Sequence, residues 1–216
     1  MKRTSLFLLS LLTIASMGVA AGVNAANCPP EGKGGDPIAN RLKNREAAPT
    51  SFQEMDVPQF LASFAPDMHT PKNRAEFTAP QKEAIEPQEQ KGIALTGYLL
   101  TANKGAVDAA NCNDKKRRNF HLWIGKIPEH YKDLAKKARA KAVIVALTPF
   151  WQSQHPTWRL HDLEKLAKQG AMVRISGWAF YYPEHSDELG KTRGTLWEVH
   201  PVTRIEVWIG GGWREL

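Results

Sequence analysis

The chain is poor in cysteine, has no acidic excess and, beyond its first 25 residues, has no long apolar run. Two cysteines in 216 residues, Cys28 and Cys112, are too few for a fold stapled mainly by disulfides. With no second pair at ligand spacing, they also exclude a structural zinc site. No later stretch approaches the ~20 apolar residues that a membrane-spanning helix needs. A phosphate-binding loop is missing too. Gly210-Gly211-Gly212 precedes Trp213 and the chain end, with no strand-then-helix around it, and reads as a flexible end. The chain has no internal repeat and no low-complexity tract.

What is present begins with a three-part N-terminal segment. Lys2 and Arg3 form a basic start, Leu6 to Ile14 an apolar core, and Val23-Asn24-Ala25 a small-residue site. Together they read as a cleavable signal peptide, residues 1–25, with the cut between Ala25 and Ala26. The apolar core is too short for an anchor, and Cys28 lacks the leucine-containing box of a lipoprotein. The expectation is an exported protein, periplasmic or secreted. The formal charge is +7, of which Lys2 and Arg3 carry two, leaving +5. That excess biases the surface toward anionic partners: nucleic acid, anionic glycan or membrane phosphate. In an oxidising compartment Cys28 and Cys112 are expected to pair and tie the N-terminal arm to a loop of the main domain, worth roughly 4 kcal/mol by chain entropy.

Residues 26–90 differ in kind from the rest. Prolines and glycines punctuate them, and no long period survives. Short helices are expected at Pro37–Asn44 and Pro58–Phe64, with a polar connector over Gln81–Gln90. Phe52, Phe60, Phe64 and Phe77 are too apolar for a free linker, so this arm should pack along the next domain, residues 91–216. There the pattern becomes β. Strands are expected at Ile93–Thr101, Phe120–Gly125, Ala142–Thr148, Met172–Tyr182 and Thr195–Trp208, the last interrupted near Pro201. Gly97 marks a bend. Helices are expected from Pro128 to Ala140 and over Thr157–Gln169, the latter capped by Thr157 and ended by Gly170. Strand, strand, strand, helix, strand, strand is the order of the five-stranded OB (oligonucleotide/oligosaccharide-binding) barrel, with the helix at Pro128 as an insertion. The fold class is therefore mainly β with helices, α+β.

Alternation sorts the strand side chains into two faces. Phe120, Leu122, Ile124, Val173, Ile175, Trp197 and Val199 should line the core. The opposite set contains His121, Trp123, Arg174, Trp178, Glu198 and His200. Two imidazoles and a carboxylate (His121, Glu198, His200) suit a divalent metal with an open position. Glu198 with either histidine suits general acid–base work. Trp123, Trp178 and Arg174, with His121, suit stacking on bases or sugar rings. A structural reading has Glu198 and His200 bridging strands at the corner by Pro201. Lys115-Lys116-Arg117-Arg118 is a loop-borne basic run suited to phosphate or to plain solvation, and Lys132, Lys136, Lys137, Arg139 and Lys141 are similar on a helix. His155, His161 and His185 read as surface residues, and Trp178, Phe180, Tyr181 and Tyr182 as packing.

Several segments together resemble a known family. Asn111-Cys112, His121, Leu147-Thr148-Pro149 and the closing run Trp197-Glu198-Val199-His200-Pro201-Val202-Thr203 are similar to an uncharacterised family of exported bacterial OB-fold-like proteins that end in W-E-[IV]-H-P-V-T. Gly34-Gly35-Asp36-Pro37 and Leu42-Lys43-Asn44-Arg45 resemble that family's arm. The resemblance implies an OB-like domain and export, and no catalytic residue. A more distant likeness to the staphylococcal nuclease barrel lacks that family's pattern of aspartate, arginine and glutamate. The expected function is binding of an anionic polymer, nucleic acid or glycan. The alternatives are a metal-dependent, phosphodiesterase-like hydrolase using His121, Glu198 and His200, and a structural component of a cell-envelope assembly contacting its partners through the arm.

Overall fold

A computed structural model describes residues 28–64, 70–127 and 137–216. The segment expected to be a signal peptide, residues 1–25, lies outside them. So does most of the helix expected from Pro128, of which residues 137–139 are seen as helical.

Five strands close a barrel: β2 (Gly92–Lys104), β3 (Phe120–Gly125), β4 (Val143–Leu147), β5 (Met172–Tyr181) and β6 (Trp197–Ile209). Around the barrel the order is β2-β3-β4-β6-β5 and back to β2. All pairs are antiparallel except β4 with β6, which is parallel. This is OB topology. Closure depends on β2, whose first half (Gly92 to Tyr98) pairs with β5 and whose second half (Tyr98 to Lys104) pairs with β3. Gly97 sits at the crossing. A Cβ there would lie 2.6 Å from a methyl of Ile124 and 2.8 Å from the Gly125 carbonyl, so the bend expected at Gly97 is a close approach that no side chain fits. Gly177 does the same for β5, where a Cβ would lie 2.2 Å from the Pro201 carbonyl, beside the register shifts that bend β5 against β6.

The inward set is the one alternation selects. Leu95, Leu122, Ile124, Val145, Val173, Ile175 and Val199 are sealed from solvent. A helix between the third and fourth barrel strands, Leu160–Lys168, buries Leu163 against this core and ends at Gly170 in the left-handed region. Thr157 does not cap it. The N-cap is Arg159, without a side-chain bond, and the Thr157 hydroxyl donates to the Leu216 carbonyl instead. A further short helix, Pro149–Gln154, follows β4.

The arm is more ordered than its composition suggests. Its helices are α1 (Pro37–Lys43), α2 (Val57–Ser63) and α3 (Ala79–Ile85). Asp36 caps α1, and Asp56/Gln59 and Thr78/Gln81 form capping boxes on α2 and α3. Phe60, Phe64, Phe77 and Ile85 enter the same apolar core as the barrel residues. The stretch expected as a polar connector therefore carries a helix and a buried ion pair, Glu89 bidentate to Arg74 at 2.6 and 2.8 Å. The strand β1 (Gln53–Asp56), absent from the sequence reading, runs parallel to β2 and fills the edge that β3 leaves free. The terminal glycines are a hairpin turn and not a loose end. Gly210 and Gly211 adopt left-handed φ and join β6 to β7 (Gly212–Glu215), with Trp208 opposite Trp213. Cys28 and Cys112 form the expected disulfide, fastening the arm to the β2–β3 loop across 84 residues. Among the described residues no helix is long and apolar enough to cross a membrane.

Candidate functional site

His121, Glu198 and His200 all project from the outer wall of the barrel, as alternation requires. The wall is not open there. α1, the β2–β3 loop (residues 105–119) and the β5–β6 loop (residues 182–196) lie over it. Glu198 and His200 are 2% and 1% exposed, so their side chains, expected to face away from the core, are buried beneath a second layer.

Glu198 is fully engaged. One carboxylate oxygen accepts from Arg193 Nη1 at 2.9 Å and the other faces His200 Nδ1 at 3.3 Å. Burial pushes its pKa up, but Arg193, then the His200 contact, outweigh this and hold the carboxyl well below the usual range. An ionised Glu198 only accepts, so His200 Nδ1 carries the proton and donates. Burial lowers the pKa of His200 despite Glu198, which keeps the ring neutral. Its Nε2 is then a bare acceptor, buried and without a hydrogen-bond partner. Arg193 also reaches Glu188 at 3.3 Å, and Glu188 pairs with His185 at 2.8 Å.

Charged groups from the cover complete the cluster. Lys43, at the end of α1, is buried and donates to Tyr182 Oη at 2.8 Å and to Asp108 at 3.3 Å. Burial alone would lower the Lys43 pKa; Tyr182 and Asp108 reverse this and raise it. Burial lifts the Tyr182 phenol to about 12. Asn119 bridges Asp108 and Asn111. His121 rests against Gly105, where a Cβ would come within 3.1 Å of its ring. Burial first, with His200 and Arg193 nearby, depresses its pKa to about 4. Lys43, Asp108 and Arg193 were invisible to periodicity. Nothing in a short helix and two loops signals that their polar side chains meet a barrel wall.

The three sequence-predicted metal candidates are thus brought into one neighbourhood. Among the described residues, however, no three His, Cys, Asp or Glu side chains converge as a metal ion would need. Of the predicted stacking residues, Trp123 and His121 meet, while Arg174 and Trp178 lie elsewhere. Trp123 is half-buried on β3, its Nε1 donating to the Thr192 carbonyl at 2.7 Å, with His121 edge-on at 6.4 Å. Arg174 lies on β5, bidentate to Glu206 at 2.6 and 2.7 Å and stacked over Trp213. Trp178, further along β5, faces the arm. The basic run puts Lys115, Lys116 and Arg117 in solvent at the end of the β2–β3 loop, just before His121 and Trp123. His155 is not a plain surface residue, since its ring stacks on Trp158 at 3.9 Å. Comparison with protein-family models, with curated proteins and with solved structures finds no match in any of the three.

Proposed function

We propose that this is an exported OB-fold binding module that takes an anionic polymer, nucleic acid or glycan, along β3 and the β2–β3 loop. The observation that carries the reading is the state of Glu198. Both its oxygens are occupied and the group is sealed, so Glu198 with Arg193 and His200 is a clamp between wall and cover. What stays partly accessible on that side is Trp123 and His121, both half-buried, beside the exposed Lys115, Lys116 and Arg117. An aromatic platform beside a basic loop is how sequence-tolerant polyanion binders work. OB domains commonly use the second and third strands and the first loop, which here are β3, β4 and the loop 105–119. Export fits the N-terminal pattern and the Cys28–Cys112 bond. The motif resemblance points the same way. The hydrolase reading gains less support, because its carboxylate has no free oxygen. The envelope-assembly reading also gains less, because the arm is spent on the barrel core.

The test is titration of the purified protein with an oligothymidylate and with an oligouronate over a range of salt. Binding to at least one should weaken as salt rises. Replacing Lys115, Lys116 and Arg117 together by alanine should reduce the log–log salt slope by about two. Trp123→Ala should weaken binding roughly fivefold or more at every salt concentration. No binding to either polymer, or a slope unchanged in the triple variant, refutes this reading. Activity on a phosphodiester substrate that is lost on chelation would restore the hydrolase.

A further inference from the structure

A groove of about 260 Å³ opens beside the start of β2, away from the cluster and the basic loop. Phe52 and Gln53 of the arm, Gln90 and Lys91 at the entry to β2, and Trp178 of β5 are among its walls. Trp178 is held there as a fixed platform. Its Nε1 donates to the Ala47 carbonyl at 2.8 Å, and the Arg45 guanidinium lies over its ring at 4.5 Å. Arg45 is itself pinned by the carbonyls of Leu42, Glu89 and Ala179. Trp178 lines the groove and Arg45 does not. The ordering cost of the ring is met before any ligand arrives.

The rest of the groove is built to match. Phe52 is 40% exposed, an apolar ring with no place in the core. At Gly92 a Cβ would lie 2.1 Å from the Ser51 carbonyl and 2.5 Å from Pro49, so the arm closes on β2 here only because residue 92 has no side chain. The amides of Gln53 and Gln90 are exposed and, among the described residues, make no side-chain hydrogen bond. Each offers two donors and an acceptor. Lys91 is the single charge among the lining residues.

A rigid indole, an exposed phenyl ring and uncommitted neutral amides suit a ligand that is apolar on its face and rich in hydroxyls at its rim. A pyranose has that form, with C–H groups across its face and hydroxyls around its edge. A nucleotide would bring phosphate charge to a groove with one cation. We propose that this groove binds a neutral pyranose unit of a glycan, its ring on Trp178 and its hydroxyls toward Gln53 and Gln90. The site is independent of the polyanion face, being built on β5 and the arm.

Calorimetric titration of the purified protein with maltotriose and with the trimer of N-acetylglucosamine tests this. At least one should bind saturably, with an affinity indifferent to salt because the ligand carries no charge. Trp178→Ala should lower the affinity about tenfold or more. Trp178 also packs on Arg45, so a second variant is needed. Gln53→Ala with Gln90→Ala removes exposed amides on which no core contact depends, and should lower the affinity about threefold or more. The triple alanine variant of the basic loop should leave trisaccharide binding intact, which separates failure at one site from failure at the other. No saturable binding of either trisaccharide, or binding that both groove variants leave unchanged, overturns the proposal.

Discussion

Glu198→Ala tests whether the buried cluster is a clamp. The substitution removes the acceptor for Arg193 Nη1 and for His200 Nδ1 together. Arg193 is 3% exposed and would keep one partner, Glu188, at 3.3 Å. His200 already has one unpartnered nitrogen and would then have two. Breaking a buried pair by deleting one side costs about 3–5 kcal/mol, because the surviving charge has no water to return to. The Glu188 contact places the expected loss toward the lower end, ~3 kcal/mol. In a chain of this size each kcal/mol moves Tm by about 2–4 °C, so the midpoint should fall by roughly 6–12 °C. Denaturant unfolding should show a lower midpoint at an unchanged m-value. Glu198→Gln, which keeps an acceptor for Arg193, should recover part of the loss. Polymer binding measured well below the new midpoint should persist. A loss below about 0.5 kcal/mol, the range of neutral surface changes, would refute the clamp. So would a stable variant whose binding or activity is abolished.

Two further predictions rest on the same layer. Burial depresses the folded pKa of His121 to about 4 from an ordinary 6.5, and that of His200 in the same direction. The unfolded chain therefore takes up protons first as pH falls. Stability should be full above pH 6.5 and decline as pH drops from 6.5 toward 4, and His121→Gln should flatten that slope in denaturation measured across the window. Replacing Cys28 and Cys112 together by serine opens a loop spanning a sequence separation of 84, and should cost ~4–5 kcal/mol by loop entropy, read as a lower denaturation midpoint. An unchanged midpoint would mean that the core contacts of the arm suffice without the bond.

Much of the barrel is legible because its causes are local. Period-two alternation puts Leu122, Ile124, Val173, Ile175 and Val199 inside, and a strand's pleat allows no other solution once one face is buried. The order of strands and helix leaves few closures, and Gly97 marks where β2 passes from β5 to β3 in close contact with Ile124 and Gly125. The pairing of two cysteines needs no geometry to suggest it. The arm was legible in part. Two of its helices, α1 and α2, fall where short helices are expected, while α3 and the four-residue β1 show no period, and all four elements are short. They persist because Phe60, Phe64, Phe77 and Ile85 find a core that lies elsewhere in the chain.

The closing run shows the division most clearly. From Trp197 to Thr203 the sequence alone determined a strand, and that Glu198 and His200 share its outer side. Whether that side meets water or protein was decided by α1 and two loops arriving from positions up to about 150 residues away. An open wall would have left a carboxylate and an imidazole free to do chemistry. The cover buries and pairs them, because a buried charge is held only by partners that tertiary structure supplies.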